Sequence, residues 1–279
     1  MNLLAIETAT AAVGVAVLRE DGSTVERVHA GGREHAERLV PMVEEACAAA
    51  ALAVGDLGAV AVDVGPGLFT GLRVGVATAK ALAQACGIGV VGIGSLDALA
   101  GAAAGSVLSA GRAGVGTMVP VVDARRGEVF AAAYRLDPDA AAAAAAAGPP
   151  SGAAASVPEG GRVVDLAPAT DDRSEPLSPE SLVDWLGELG AAAGPVLVVG
   201  DGAVRYLHRV ALLPDVDAGL AATLSTPPPA AVARLAALRL AAGARTEDPA
   251  DLVPDYRRPA DARINWEQRA PRRGQAAPR

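Results

Sequence analysis

Cysteine is scarce: Cys47 and Cys86 are the only two, each on a predicted helix among apolar neighbours. Two cysteines make neither a secreted disulfide scaffold nor a zinc cluster, so buried reduced thiols are expected. Long apolar runs are missing too, each being broken by glycine, threonine or charge well before the ~20 residues that span a bilayer. Met1 to Leu18 has no basic start and no cleavage site after an apolar centre. The expectation is a soluble, cytoplasmic protein with no membrane association. Histidine is limited to His29, His35 and His208, which share no local metal-ligand spacing, and no serine or cysteine nucleophile has recognisable company. Lysine is reduced to Lys80 amid abundant Ala and Arg, a bias that fits genome composition rather than chemistry.

What is present is a chain of 279 residues, 51% apolar, long enough for one large domain or two ordinary ones with their own cores. The net charge of −8 is unevenly placed. From Tyr256 to the end, seven Arg stand against Asp261 and Glu267, a local +5 that leaves −13 on residues 1–255. An acidic body repels a phosphate backbone, so direct tight nucleic-acid binding by this chain alone is not expected. The Arg-rich end, 256–279, reads as a solvated tail, with a weak sequence-independent contact as the alternative.

The chain is organised around Gly65-Pro66-Gly67-Leu68-Phe69-Thr70-Gly71-Leu72-Arg73-Val74-Gly75. An alternating apolar run, 57–64, predicts a strand before it, and small residues over 70–86 predict a helix after it, with Thr70 as N-cap. The glycine spacing matches neither dinucleotide nor P-loop fingerprints. Upstream, strands are expected at 3–6, 12–18 and 25–29, then an amphipathic helix at 35–50 in which Pro41 kinks the helix or marks its first turn. Downstream come a strand at 89–93 and a short helix at 95–103. The order β-β-β-α-β-α-β-α fits a mixed sheet covered by helices, as many actin-like and sugar-kinase-like domains begin. Residues 104–116 read as a linker. A second lobe, 117–255, is expected to repeat the theme less fully, with strands at 117–123, 128–135, 163–166 and 196–199, helices at 179–189 and 228–242, and a low-complexity insertion at 137–161.

Six stretches carry a resemblance: Ile6-Glu7-Thr8, His35 to Pro41, Gly65 to Gly75, Asp123-Ala124-Arg125-Arg126-Gly127-Glu128-Val129, Gly200-Asp201-Gly202-Ala203, and Leu252-Val253-Pro254-Asp255-Tyr256-Arg257. Over about residues 2–258 the chain resembles the bacterial TsaB family of threonylcarbamoyladenosine biosynthesis proteins. The turn and Lys80 are shared with the paralogous TsaD family, whereas the Asp-Ala-Arg-Arg-Gly-Glu-Val run and the Pro-Asp-Tyr-Arg ending are more particular to TsaB. The resemblance implies a two-lobed actin-like (ribonuclease H-like) α/β fold, each lobe a mixed sheet with helices. It also implies a noncatalytic subunit that binds and activates TsaD while TsaD modifies the adenosine beside the anticodon of tRNA. TsaE is implied as an ATPase partner, tRNA is met only through the complex, and ATP/ADP and metal belong to the partner subunits. Alone, the chain is expected as a monomer or a homodimer.

The residues support a noncatalytic role. Where the resemblance places the His-x-x-x-His metal pair of TsaD, this chain has Ser95 and Leu99. Glu7 stands where active superfamily members carry Asp, and Thr8-Ala9-Thr10-Ala11-Ala12 has no glycine, so a phosphate there would be crowded. Glu7, Thr8 and Thr10 are candidates for weak nucleotide contact only. By resemblance the first two helices form a four-helix bundle with the partner's pair, with Leu39, Val43, Leu72 and Val76 as apolar contacts and Arg73 and Lys80 as polar rim. Two other readings stay open: a stand-alone ATP-dependent kinase or hydrolase of this fold, and a TsaD-like metallopeptidase.

Overall fold

The computed structural model describes residues 1–31, 34–109, 115–136, 170–173 and 175–257. The expected insertion at 137–161, the strand at 163–166 and the tail beyond Arg257 lie outside the described residues. Three strands open the chain because alternating apolar residues are punctuated by polar turns. β1 (Leu3–Glu7), β2 (Ala12–Leu18) and β3 (Thr24–Ala30) pair antiparallel, with Leu3 opposite Leu18 and Leu18 opposite Thr24. The second turn closes on Asp21, whose carboxylate accepts the Ser23 amide at 2.9 Å and the Ser23 hydroxyl at 2.6 Å. β4 (Ala59–Gly65) and β5 (Gly89–Gly94) then run parallel to β1, giving the order β3-β2-β1-β4-β5.

The second sheet repeats this plan. It comprises β6 (Thr117–Arg125), β7 (Glu128–Arg135), β8 (Asp171–Asp172), β9 (Val196–Val199) and β10 (Val216–Asp217). Its order, β8-β7-β6-β9-β10, matches the first sheet strand for strand, with β7 antiparallel to β6 and β8 and with β9 parallel to β6 and β10. Two α/β lobes of one design follow, as in the actin-like fold.

The helices are α1 (His35–Ala49), α2 (Phe69–Cys86), α3 (Ser95–Ser109), α4 (Pro179–Ala193), α5 (Asp201–Arg205), α6 (Leu207–Val210) and α7 (Pro229–Ala241). Because successive strand residues point to opposite faces, Leu4 and Ile6 of β1 meet Leu39, Met42 and Val43 of α1 and Val76 and Ala79 of α2. Leu3 and Ala5 meet Val232, Leu235 and Ala236 of α7 on the other face. Each large side chain so buried stabilises the fold by about 1.5–3 kcal/mol. In the second lobe α3 covers one face through Leu96, Leu99 and Val107, and α4 covers the other through Leu182, Trp185 and Leu186. Ala98 of α3 belongs to the first lobe's core, so α3 is the wall between the sheets.

Three boundaries differ from the sequence reading. α3 continues to Ser109, so residues 104–109 are not linker; Ala103, Ala104, Gly105 and Val107 are buried, and their small size lets the helix lie close to both sheets. Leu68, not Thr70, is the N-cap of α2, and no side chain caps it. The second lobe does not run to residue 255: α7 packs on β1 and β2, and residues 244–257 form a strap along the first lobe. The strap pairs Glu247 with Val90 of β5, buries Leu252 in the first core, and donates the Asp255 amide to the Val64 carbonyl at 2.7 Å. Pro41 sits inside α1 without ending it.

Candidate functional site

The carboxyl ends of parallel strands are where α/β sheets hold ligands, and here they carry acids. Glu7 ends β1, Asp63 lies near the end of β4, and Asp201 follows β9. The Asp63 Oδ1 accepts the Ser95 hydroxyl at 2.6 Å and the Gly65 amide at 2.8 Å, while its buried Oδ2 has no hydrogen-bond partner. Burial pushes the Asp63 carboxyl up to about 7. Burial first and the charge of Asp63 second hold Glu7 well above the usual carboxylate range, with Asp201 of the other lobe adding to the effect. Asp201 is raised by its own burial and accepts the Asp123 amide at 2.8 Å. Asp123 receives Arg205 at 3.0 Å and Arg125 at 3.3 Å on one oxygen. Arg125 and Arg126 sit in the left-handed region, φ +63° and +56°, at the β6–β7 hairpin tip.

The first hairpin loop is closed over by its own chain. The Leu68 amide donates to the Ala9 carbonyl at 2.6 Å and the Thr8 hydroxyl to the Gly71 carbonyl at 2.8 Å. Added Cβ atoms at Gly67, Gly71 and Gly75 would overlap the Ala9 carbonyl, the Thr8 carbonyl and the Thr8 hydroxyl in turn, so these glycines are required by close approach of backbones. The Glu7 carboxylate accepts the Ala9 amide at 2.8 Å, and His35 Nε2 lies 2.9 Å from the Thr10 carbonyl. Glu7, Thr8 and Thr10, candidates for weak nucleotide contact, are therefore fully buried and internally bonded; neither threonine hydroxyl faces solvent. Gly71→Ala is expected to lower stability by about 1–3 kcal/mol through this overlap, seen as a lower urea midpoint with an unchanged slope.

The helix-face expectation is corrected in the same region. Leu39, Val43, Leu72 and Val76 are all buried, pointing into the first lobe rather than outward. Both the small and the large apolar residues of α2 share the inner face: Gly71, Leu72, Gly75, Val76, Ala79 and Ala83. The outer stripes are instead Glu37, Val40, Pro41 and Glu44 on α1 and Thr70, Arg73, Ala77 and Ala81 on α2, all exposed. Lys80 is not a free rim cation, since its Nζ donates to the Ala250 and Leu252 carbonyls, each at 3.0 Å, and pins the strap. Arg73 is exposed, lying 3.8 Å from the centre of the Phe69 ring and donating from Nε to the Tyr256 hydroxyl at 3.2 Å. Sequence reasoning missed Asp63, Asp201, Phe69 and Tyr256 as site residues. The Asp-Tyr-Arg ending signalled Tyr256, but its partner lies 183 positions away.

Comparison with known proteins adds the family. A sequence profile described as TsaD, tRNA N6-adenosine threonylcarbamoyltransferase, matches residues 27–182. An uncharacterised protein of Mycobacterium tuberculosis is 47% identical over 135 residues, 48% of this chain and 59% of its own length, so the chain aligns with a little over half of that relative. The tRNA threonylcarbamoyladenosine biosynthesis protein TsaB of Bacillus subtilis is 30% identical over 270 residues, 95% of this chain and 98% of its own. The chain belongs to the TsaB family. A crystal structure of a Pseudomonas aeruginosa protein described as similar to the peptidase YeaZ superposes with a TM-score of 0.65 at 27% identity, covering 92% of this chain and 99% of its own. In this TsaB-family chain the two positions compared with the TsaD histidine pair have other duties: Ser95 binds Asp63, and Leu99 is in the second lobe's core. Among the described residues no group of three or more His, Cys, Asp or Glu is placed to hold a metal ion, and no helix is long and apolar enough to cross a membrane.

Proposed function

We propose that this chain is the noncatalytic subunit that binds and activates TsaD in the threonylcarbamoyladenosine modification of tRNA, at the adenosine next to the anticodon. The observation that supports the reading is the closed first hairpin loop: the Ala9 and Thr8 carbonyls lie directly against Gly67 and Gly71 at the start of α2, so a phosphate entering there would have to displace them. Surface is then what the chain has to offer. The outer stripes of α1 and α2, with Val40 exposed on α1 and the small Ala77 and Ala81 exposed on α2, suit close packing of a partner's helix pair. Nucleotide and metal are supplied by the partner subunits, TsaE joins as the ATPase, tRNA is met through the complex, and the free chain pairs with itself through the same face in the cytoplasm.

Light-scattering mass tests this with the full chain alone, with TsaD, and with TsaD plus Ala77→Glu/Ala81→Glu. Wild type is expected to give a complex. The variant, whose new charges sit on exposed positions, is expected to stay folded and to bind at least about tenfold more weakly. A wild-type mixture that shows only separate species, with TsaD folded, would refute the partner role and return attention to nucleotide turnover.

A further inference from the structure

We propose that Arg73, laid on the Phe69 ring and bonded to the Tyr256 hydroxyl, is the central anchor of the partner surface and receives a carboxylate from an otherwise apolar partner segment. This rests on the partner reading above and specifies the chemistry of that surface. Phe69 opens α2 and is 39% exposed; Tyr256, from the strap, is 43% exposed and packs against it with ring centres 5.0 Å apart and planes tilted by 45°. The Arg73 guanidinium lies 3.8 Å from the Phe69 ring centre and 5.9 Å from that of Tyr256. Val253 of the strap is 72% exposed close by in sequence. Two partly exposed aromatic rings thus adjoin one cation.

The cation itself is not neutralised. Among the described residues no acidic side chain pairs with Arg73. Its Nε is held by the Tyr256 hydroxyl, which leaves the two terminal nitrogens as a fork aimed by the stack. The neighbouring cations are spoken for: Arg257 donates to both Asp172 oxygens, one at 3.0 Å, and to Asp255 at 2.8 Å, and Lys80 is on strap carbonyls. Arg257 also fixes the strap end that carries Tyr256, so the fork is rigid before a partner arrives. Low entropy of ordering and a desolvated aromatic surround are what give arginine and tyrosine large effects at interfaces.

A protein carboxylate fits this better than a nucleic-acid phosphate. A phosphate backbone needs several cations in a row, and among the described residues Arg73 is the one cation at this aromatic pair without an acidic partner, on a body carrying −13 over residues 1–255 once the +5 of the tail is removed from −8. Base stacking is no substitute, because the face of Phe69 is already occupied by the guanidinium. The planar fork suits a carboxylate taken bidentately.

The test is calorimetric titration of TsaD into the full-length chain, with Arg73→Ala, Arg73→Lys and Tyr256→Ala, each checked by melting curve. Arg73→Ala is expected to weaken binding by about a hundredfold, with little change in melting because the residue is exposed. Arg73→Lys is expected to recover less than a tenth of that loss, since an ammonium neither stacks nor forks. Tyr256→Ala is expected to cost about tenfold by releasing the guanidinium. Affinities within threefold of wild type for Arg73→Ala would overturn the anchor while leaving the partner reading intact. An Arg73→Ala variant that binds TsaD normally but lowers retention of tRNA by the complex would overturn it in favour of a nucleic-acid contact. If wild type itself does not bind TsaD, the partner reading falls and the anchor falls with it.

Discussion

Leu72→Glu and Val76→Glu are each expected to destabilise the folded chain severely rather than to dissociate a complex, and the double variant to abolish folding. Their side chains are 1% and 4% exposed. Leu72 lies against Gly65 at the end of β4, and Val76 belongs to the core shared by β1, β2, α1 and α2. A carboxylate placed there either stays charged without water or a partner, or takes up a proton at the cost of an unsatisfied polar group. Several kcal/mol are lost either way, on top of the apolar contacts removed. Against a typical native margin of about 5–15 kcal/mol, one such change takes much of the stability and both together exceed it. Ala77→Glu, one turn along the same helix, is exposed and serves as the matched control. Circular dichroism and melting of the purified variants distinguish the cases. A Leu72→Glu protein that melts like wild type but no longer joins a partner would show that the inner face of α2 opens on its own, and the assignment of the outer stripe would be withdrawn.

This result depends on which face of α2 is inward, and that was the least legible feature of the sequence. The helix has apolar or small residues on most of its circumference, so periodicity gives a helix without giving its orientation. The structure decides through backbone proximity: Gly71 and Gly75 face the Thr8 loop because nothing larger fits, and Leu72, Val76, Ala79 and Ala83 follow them inward. The strands were far more legible. β2 at 12–18, β7 at 128–135 and β9 at 196–199 coincide with the alternating or continuous apolar runs that predict them. The three-strand entry and the later strand–helix alternation also pointed to a mixed sheet, whose strand order the structure supplies. α3 was cut short for the opposite reason: Gly, Ala and Ser over 104–109 have the composition of a linker, yet between two sheets the same small side chains are what close packing demands.

The candidate site divides along the same line. Residues joined locally were visible, such as Glu7 with its crowded Thr-Ala-Thr loop, whose closure over α2 gives a physical form to the crowding expected of a phosphate there. Residues joined across the chain were not. Asp63 meets Ser95 across 32 positions, Arg205 meets Asp123 across 82, and Lys80 meets the strap across 170 and 172. No spacing rule links such pairs, because the fold alone brings strand ends of separate βα units to one edge. The motif Pro254-Asp255-Tyr256-Arg257 stood out in the sequence, but its meaning is three-dimensional. Its Asp255 amide is on β4, its Tyr256 on α2, and its Arg257 on Asp172 of the second lobe, so it joins the lobes while displaying an aromatic beside the exposed stripe of α2.

The buried acids make stability depend on pH in a direction opposite to ordinary acid denaturation. Asp63 in the folded chain takes up its proton near pH 7, whereas its ordinary value is 3.8. Between these values the native state holds more protons than the unfolded state, so stability falls as pH rises from about 4 to about 7 and is level above that. At 1.36 kcal/mol per unit of difference, the loss from Asp63 across this window is about 4 kcal/mol, and burial raises Glu7 in the same sense. Asp63→Asn removes the ionisation while its amide oxygen still accepts from Ser95 and Gly65. The variant is expected to lie about 1–3 kcal/mol below wild type near pH 4, because the amide nitrogen inherits the orphaned position, and to exceed it by about 1–3 kcal/mol at pH 8, the two differences together making up the swing of about 4. Urea titrations of both proteins at pH 4, 6 and 8 read the difference directly, and subtraction cancels the exposed carboxylates common to both. Parallel profiles would mean that water or a nearby cation solvates the Asp63 charge in the native state. The cluster would then be a hydrated acidic cleft rather than a proton-holding wall between the lobes.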